Sequence, residues 1–167
     1  MTNSLGIELN EQQLRSVTQA LQVAGSIDIG RPEIARDIRL VAVADVDERF
    51  DSAPGVEAGG VVYGGVYWPP LAESTLEENP ARFGGRLLRE TGELQQSFTG
   101  NGQVFETGFQ QVIFGSSLPK ARGLHFGVFW GREIPERARP LVVVHDQLAN
   151  DVAEVVGAYV DQQLRRA

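Results

Sequence analysis

Two histidines, a serine pair and two adjacent glutamates are the residues of this chain best suited to chemistry. His145 stands beside Asp146, a base next to a carboxylate that could orient it for proton transfer. Adjacent residues leaving a strand point to opposite sides, however, so the pair reads as a helix cap beside a satisfied histidine. In Gly115-Ser116-Ser117 a serine follows a glycine, but the second glycine of a nucleophile elbow is missing, and the tripeptide reads as a turn. Glu77 and Glu78 are neighbours in a polar segment and fit a solvated helix face. With only His125 and His145 available, no metal-ligand spacing is present. The chain has no cysteine, which removes disulfides, thiolate nucleophiles and cysteine-ligated metals. There is no GxxxxGK[ST] loop, and the glycines near Gly59 lack the strand-to-helix setting of a dinucleotide fingerprint. The expectation is a chain with no catalytic residue, no cofactor and no metal. An enzyme reading is still testable, because a hydrolase would lose turnover in His145→Ala or Ser116→Ala.

The elements that hold these residues follow from periodicity. A chain of 167 residues, 42% hydrophobic, suits one domain (1–167) with its own core. Asn10 and Gln13 resemble a capping box, and Leu14, Val17, Leu21 and Ala24 follow at helical spacing, which predicts a first helix over residues 11–24. Pro32 and Glu33 open a second helix, in which Ile34, Ile38, Ala42, Val46 and Phe50 recur every four residues. Its acids Asp37, Asp45, Asp47, Glu48 and Asp51 are expected to face water or a basic partner. Residues 52–67 form an apolar, Gly-rich stretch, read as a mobile loop with room for a short hairpin on Val61-Val62-Tyr63 and Val66-Tyr67. Such a loop would find its order against a neighbouring subunit.

Beyond Trp68 the chain is read as a short helix over 71–78 closed by Asn79-Pro80. A second short helix over 87–98, weakened at Gly92, is read as passing into a strand at 97–99. An antiparallel meander over 103–106 and 110–115 follows. Leu141-Val142-Val143-Val144 reads as a further strand, and Asp146 as the cap of a last helix with Leu148, Val152, Val155 and Tyr159 on one face. The fold class expected is α+β: an antiparallel sheet of about four strands packed with two N-terminal helices and a C-terminal helix.

Charge is distributed unevenly. Residues 1–80 hold 13 acids and 5 bases, whereas residues 81–167 hold 9 acids and 10 bases. The acidic half disfavours tight general DNA binding, which depends on basic side chains releasing counterions. Within residues 120–139, Lys120, Arg122, Arg132, Arg137 and Arg139 oppose Glu133 and Glu136, with Phe126, Phe129 and Trp130 interleaved. Two readings stay open for this stretch. One is a nucleic-acid-binding module working by stacking and charge. The other is an arginine-rich protein interface, complementary to the acidic second helix of the next copy and able to close into a ring. No run reaches the roughly 18 apolar residues of a membrane span, and the N-terminus lacks the pattern of a signal peptide, so a soluble chain made in the cytoplasm is expected.

One series of short motifs is more specific in its order than in any member. Trp68-Pro69-Pro70-Leu71, Thr75, Gly85-Arg86-Leu87-Leu88, Thr91-Gly92-Glu93-Leu94 and Ser97 are followed by Val112 to Ser116, His125-Phe126-Gly127, Ile134-Pro135, and Arg137 with Arg139-Pro140-Leu141. This order resembles the phage virion-morphogenesis and tail-completion proteins, with their W-x-P-L, T, L-x-x-T-G-x-L-x-x-S, V-x-x-G-S, H-x-F-G and I-P-x-R-P-F-L segments. The likeness spans roughly the last 100 residues. This chain departs from the pattern by two extra residues between Pro135 and Arg139-Pro140, by Leu141 in place of phenylalanine, and by the Gly-rich stretch before Trp68.

The resemblance implies a structural protein of a tailed bacteriophage, a prophage or a gene-transfer particle. Such a protein is assembled in the host cytoplasm and resides in the virion neck or at the top of the tail. Copies would form a ring that joins or completes the tail, contacting connector or adaptor and tail-tube proteins, with DNA passing through the lumen without specific binding and no membrane involved. Adaptor, terminator and tail-completion roles all stay open. The family-motif and interface positions are Trp68, Leu71, Thr75, Leu88, Thr91, Gly92, Leu94, Ser97, Arg132, Arg137, Arg139 and Pro140, the Trp68 to Ser97 group being expected as core and turn residues.

Overall fold

The computed structural model describes residues 25, 27–109, 111–129 and 131–166; the helix expected over 11–24 lies outside them. The long element α1 (Pro32–Asp51) starts where Pro32 supplies a preset φ and no surplus donor. The turn before it is closed by the Asp28 carboxylate, which accepts from the Gly30 N–H at 2.9 Å. Ile34, Ile38, Val46 and Phe50 of the expected four-residue series are buried, with Ala35 beside them, while Ala42 is half-buried. Asp45 and Arg49 are buried with them, contrary to the expectation that every acid of this helix faces outward. The helix packs against α3 (Glu93–Thr99) and α5 (Asp146–Arg166).

The Gly-rich stretch folds within the subunit. Strands β1 (Gly60–Val62) and β2 (Val66–Trp68) pair antiparallel, Val62 opposite Val66 and Val61 opposite Tyr67. The short hairpin allowed for at Val61-Val62-Tyr63 and Val66-Tyr67 is present, one residue longer at each outer end, and it packs within the subunit and not against a neighbour. Period-2 alternation explains it: Val62 and Trp68 are buried, while Val61 and Tyr67 face outward. Gly64, at φ +82°, brings its backbone against Arg49 and His145, and an added Cβ would lie 2.8 Å from each side chain.

A short helix α2 (Glu73–Glu78) and a 3-10 turn (Pro80–Arg82) follow. Gly92, left-handed at φ +69°, precedes α3, so this helix begins after the glycine rather than running through it, and residues 97–99 are helical where a strand was expected. Strands β3 (Gln103–Gly108) and β4 (Gln111–Ser116) pair from Gln103 opposite Ser116 to Gly108 opposite Gln111. The hairpin lies on α3 through Phe98 and Phe114, whose ring centroids are 6.3 Å apart. Helix α4 (Pro119–Phe126) leads to the minimal ladder β5 (Val128–Phe129) and β6 (Arg132–Glu133), and a 3-10 turn (Pro135–Arg137) follows.

The class is α+β. Its strands, among the described residues, make three separate two-stranded ladders in place of one sheet of about four. Residues 141–144 are the principal correction. They run as non-ladder chain, because the groups that bond the Leu141 backbone are side chains, Arg49 as donor and His125 as acceptor, and not a neighbouring strand. Leu141 is fully buried, and its carbonyl accepts from Arg49. The residue expected to cap the last helix, Asp146, is that helix's first residue. One core unites these parts: Val46, Phe50, Val56, Val62, Trp68, Leu76, Leu87, Leu94, Phe98 and Leu141.

Candidate functional site

The residues with chemical potential are already occupied structurally. His145 Nε2 meets Asp45 Oδ1 at 2.5 Å, a partner one hundred residues away, instead of the adjacent Asp146. The other oxygen of Asp45 accepts from Arg49 at 3.0 Å, and the Arg49 guanidinium also donates to the carbonyls of Tyr63 and Leu141, each at 3.0 Å. Arg49 is fully buried, so desolvation pushes its pKa down while Asp45 opposes that shift. The cluster ties α1, the β1–β2 hairpin and the segment before α5 together. Ser116 Oγ bonds Ser97 Oγ at 2.7 Å and accepts from the Leu118 N–H, while Ser97 Oγ donates to Leu94. Glu77 and Glu78 are exposed. Among the described residues no cluster of three or more potential metal ligands occurs.

A groove of about 870 Å³ lies beside the motif-bearing chain. One wall is the segment from Pro69 to Thr75, and the second is the 81–94 chain leading into α3. The third comprises α4 and the turn around Arg137. Backbone bonds set the floor: the Val56 N–H donates to Gly85, Leu71 to Val56 and Leu87 to Pro54. Leu88 stands in the left-handed region at φ +61°, a conformation unfavourable for a side-chain-bearing residue, and lines the groove beside Leu71, Leu94 and Leu124.

The expected positions fall into distinct groups. Leu71, Thr75, Leu88, Thr91, Leu94, Arg137 and Arg139 line the groove. Trp68 and Ser97 are buried behind it, and Gly92 sets the start of α3. Pro140 supplies the carbonyl that accepts from the Trp68 indole. Arg132 is exposed on β6, outside the groove lining.

Arg139, expected at an interface, is 5% exposed and holds the Pro69 carbonyl at 2.8 and 3.1 Å and the Pro70 carbonyl at 2.9 Å. Burial, and secondarily Arg137, lowers its pKa. Its role is to clamp the Trp-Pro-Pro entry to the C-terminal half, since prolines leave carbonyls without a matching local N–H donor. Lys120 is also engaged, in an ion pair with Glu93.

Arg82 and Arg89, which the sequence motifs did not single out, complete the rim with Arg86 and Arg137. Arg82 pairs with Glu90 at 2.8 Å, and its Nε is buried without a hydrogen-bond partner among the described residues. Arg89 pairs with Asp51 at 2.7 Å, and Arg86 donates to the Asp51 carbonyl at 2.8 Å. Arg137 is exposed. The rim sets these arginines and Lys120 among Glu90, Glu93 and Glu136, over an apolar floor that includes Leu71, Leu88 and Leu124. Of the α1 acids expected to face water or a basic partner, Asp45 is buried, Asp47 accepts from Gln95 and Asp51 is held by Arg89.

Among the described residues no helix is long and apolar enough to cross a membrane. Comparison with models of protein families, with curated proteins and with solved structures returned no match.

Proposed function

We propose that this chain is a structural subunit of a tailed-phage virion or a related particle, and that copies of it form a ring at the head-tail neck or the top of the tail. The observation that carries the reading is convergence. Leu71, Thr75, Leu88, Thr91, Leu94, Arg137 and Arg139, dispersed in sequence among the motifs that resemble the tail-completion proteins, line one groove, and Trp68 and Ser97 are buried in the core. They serve as packing, turn and clamp residues, the roles a rigid assembly subunit requires. The ring surrounds the DNA channel, part of the acidic surface faces the lumen, and connector and tail-tube proteins contact its two faces. The three ladders retain open edges, and a sheet of about four strands arises on this reading where edges of neighbouring copies pair.

The test is assembly. Purified full-length protein, examined by light scattering and electron microscopy alone and with connector or tail-tube components, is expected to form rings or to cap one of these partners. A chain that stays monomeric at every concentration and assembles on neither partner overturns the proposal. The nucleic-acid reading of residues 120–139 makes a separate forecast: binding that weakens steeply with salt and is lost in the Arg132→Ala, Arg137→Ala double variant.

A further inference from the structure

Residues 138–145, between the Pro135–Arg137 turn and α5, belong to no helix or strand, so side chains and isolated backbone bonds hold them in place. Both histidines of the chain are among those holds. Upstream, two bonds seam the last turn of α4 to this segment: the Arg139 N–H donates to the Leu124 carbonyl at 2.7 Å, and the Leu141 N–H donates to His125 Nδ1 at 3.1 Å. Downstream, His145 Nε2 meets Asp45 of α1 at 2.5 Å. The Leu141 carbonyl is fixed separately, by Arg49 at 3.0 Å. Leu141 is fully buried, so its N–H has no water to turn to once His125 stops accepting.

The two histidines answer acid in opposite ways. A backbone N–H donating to Nδ1 requires the neutral His125 ring with its proton on Nε2; the protonated ring carries hydrogens on both nitrogens and sets donor against donor at Leu141. At His145 the facing group is a carboxylate, and a charged ring keeps that bond. From α1, Arg49 faces His125 and opposes a second positive charge, as does burial of the ring. On α4 itself Lys120 is paired with Glu93 and Arg122 is exposed, while Arg139 of the segment is turned to the Pro69 and Pro70 carbonyls. We infer that residues 138–142 form an acid-released latch: when His125 takes up a proton the last turn of α4 comes off the segment, while His145 and Asp45 keep α5 in place. Leu124, Phe129, Arg137 and Arg139 line the groove from this side, so release of the latch loosens that wall. The device belongs to the single subunit and is independent of the ring reading.

Hydrogen exchange read by mass spectrometry on the full chain from pH 8 to 5 tests the latch. Slow deuterium exchange at the His125 ring carbon gives the titration midpoint of that residue, expected below about 6.5. Amide protection in peptides covering residues 138–142, corrected for the intrinsic pH dependence of exchange, should fall about tenfold or more through the same midpoint, with α5 peptides unchanged. His125→Asn keeps an acceptor and does not titrate, so its peptides should stay protected across the range. Three results overturn the latch: protection lost from α5 together with residues 138–142, which is global unfolding; a loss at 138–142 whose midpoint differs from that of the His125 ring, or no loss at all; and the same acid loss persisting in His125→Asn. The midpoint comparison is made on the parent chain, so it decides the matter even where His125→Asn does not fold.

Discussion

The indole N–H of Trp68 donates to the carbonyl oxygen of Pro140 at 3.0 Å, joining residues 72 positions apart. The same indole meets Phe50 edge-on, with ring centroids 5.7 Å apart, so one side chain links α1, β2 and the segment before α5. Trp68 is fully buried, which places it in the subunit core and not at an interface.

Trp68 therefore makes two separable contributions. Trp68→Ala is expected to cost about 3–5 kcal/mol, the range for removing a buried tryptophan. Trp68→Phe keeps most of the packing but leaves the Pro140 carbonyl unpaired, for about 1–3 kcal/mol. Urea unfolding followed by far-UV circular dichroism checks the order, and equal losses in the two variants would show that the hydrogen bond dominates.

Arg139 should behave unlike the other arginines of its stretch. Arg139→Lys removes the planar fork that holds two proline carbonyls, and a loss of about 2 kcal/mol or more is expected. Arg132→Ala and Arg137→Ala, at exposed positions, should stay within about 0.5 kcal/mol of the parent. Denaturation midpoints of the three variants decide whether Arg139 is a clamp or a surface contact.

The buried triad predicts a different pattern. Asp45→Ala leaves the Arg49 charge fully buried without its carboxylate, and a loss of about 3–5 kcal/mol is expected. His145→Ala removes the second partner of Asp45 but leaves the Arg49 pair, so its cost should be smaller. A double-mutant cycle on Asp45 and His145 measures their coupling, and additive losses would dissolve the triad into independent contacts.

His125 is expected to make stability depend on pH. Its Nδ1 accepts from the Leu141 N–H at 3.1 Å, a bond that the protonated ring cannot make. Burial, with Arg49 adding to it, pushes the folded-state pKa below the ordinary histidine value. The unfolded chain then binds more protons than the native one between the lowered pKa and about 6.5. Stability is thus fully present above about 6.5 and falls as pH drops through that window. His125→Asn retains an acceptor and does not titrate, so its midpoint measured from pH 8 to 5 should be flatter than the parent's.

Two glycines test the backbone. Gly92→Ala meets only the Gln96 side chain, at an ordinary contact distance of 4.0 Å, so its cost is the left-handed conformation alone, about 1–2 kcal/mol. Gly127→Ala places a Cβ 2.5 Å from the Ile134 carbonyl, so strain and clash combine and its loss should be the larger. Thermal unfolding of the two variants ranks them.

Periodicity and proline placement were enough to read α1, the last helix and the β3–β4 pairing, because amphipathic repeats and turn residues are local properties. The order of motifs was likewise sufficient to mark Trp68, Leu71, Leu94 and Ser97 as scaffold residues. Long-range partners were beyond that reading. The ordering of the β1–β2 hairpin within the subunit depended on Val62 and Trp68 finding a core, and the non-ladder course of 141–144 depended on a donor from Arg49 and an acceptor from His125. Asp45 looks like any surface acid in an i, i+4 helix pattern until His145 arrives from one hundred residues away. Arg139 looks like an interface arginine until the carbonyls of Pro69 and Pro70 surround it. Composition and spacing specify which elements can form. Which charges are spent inside the fold, and which stay at the surface, is set by contacts between distant segments, since a side chain's solvation is a property of the packed whole.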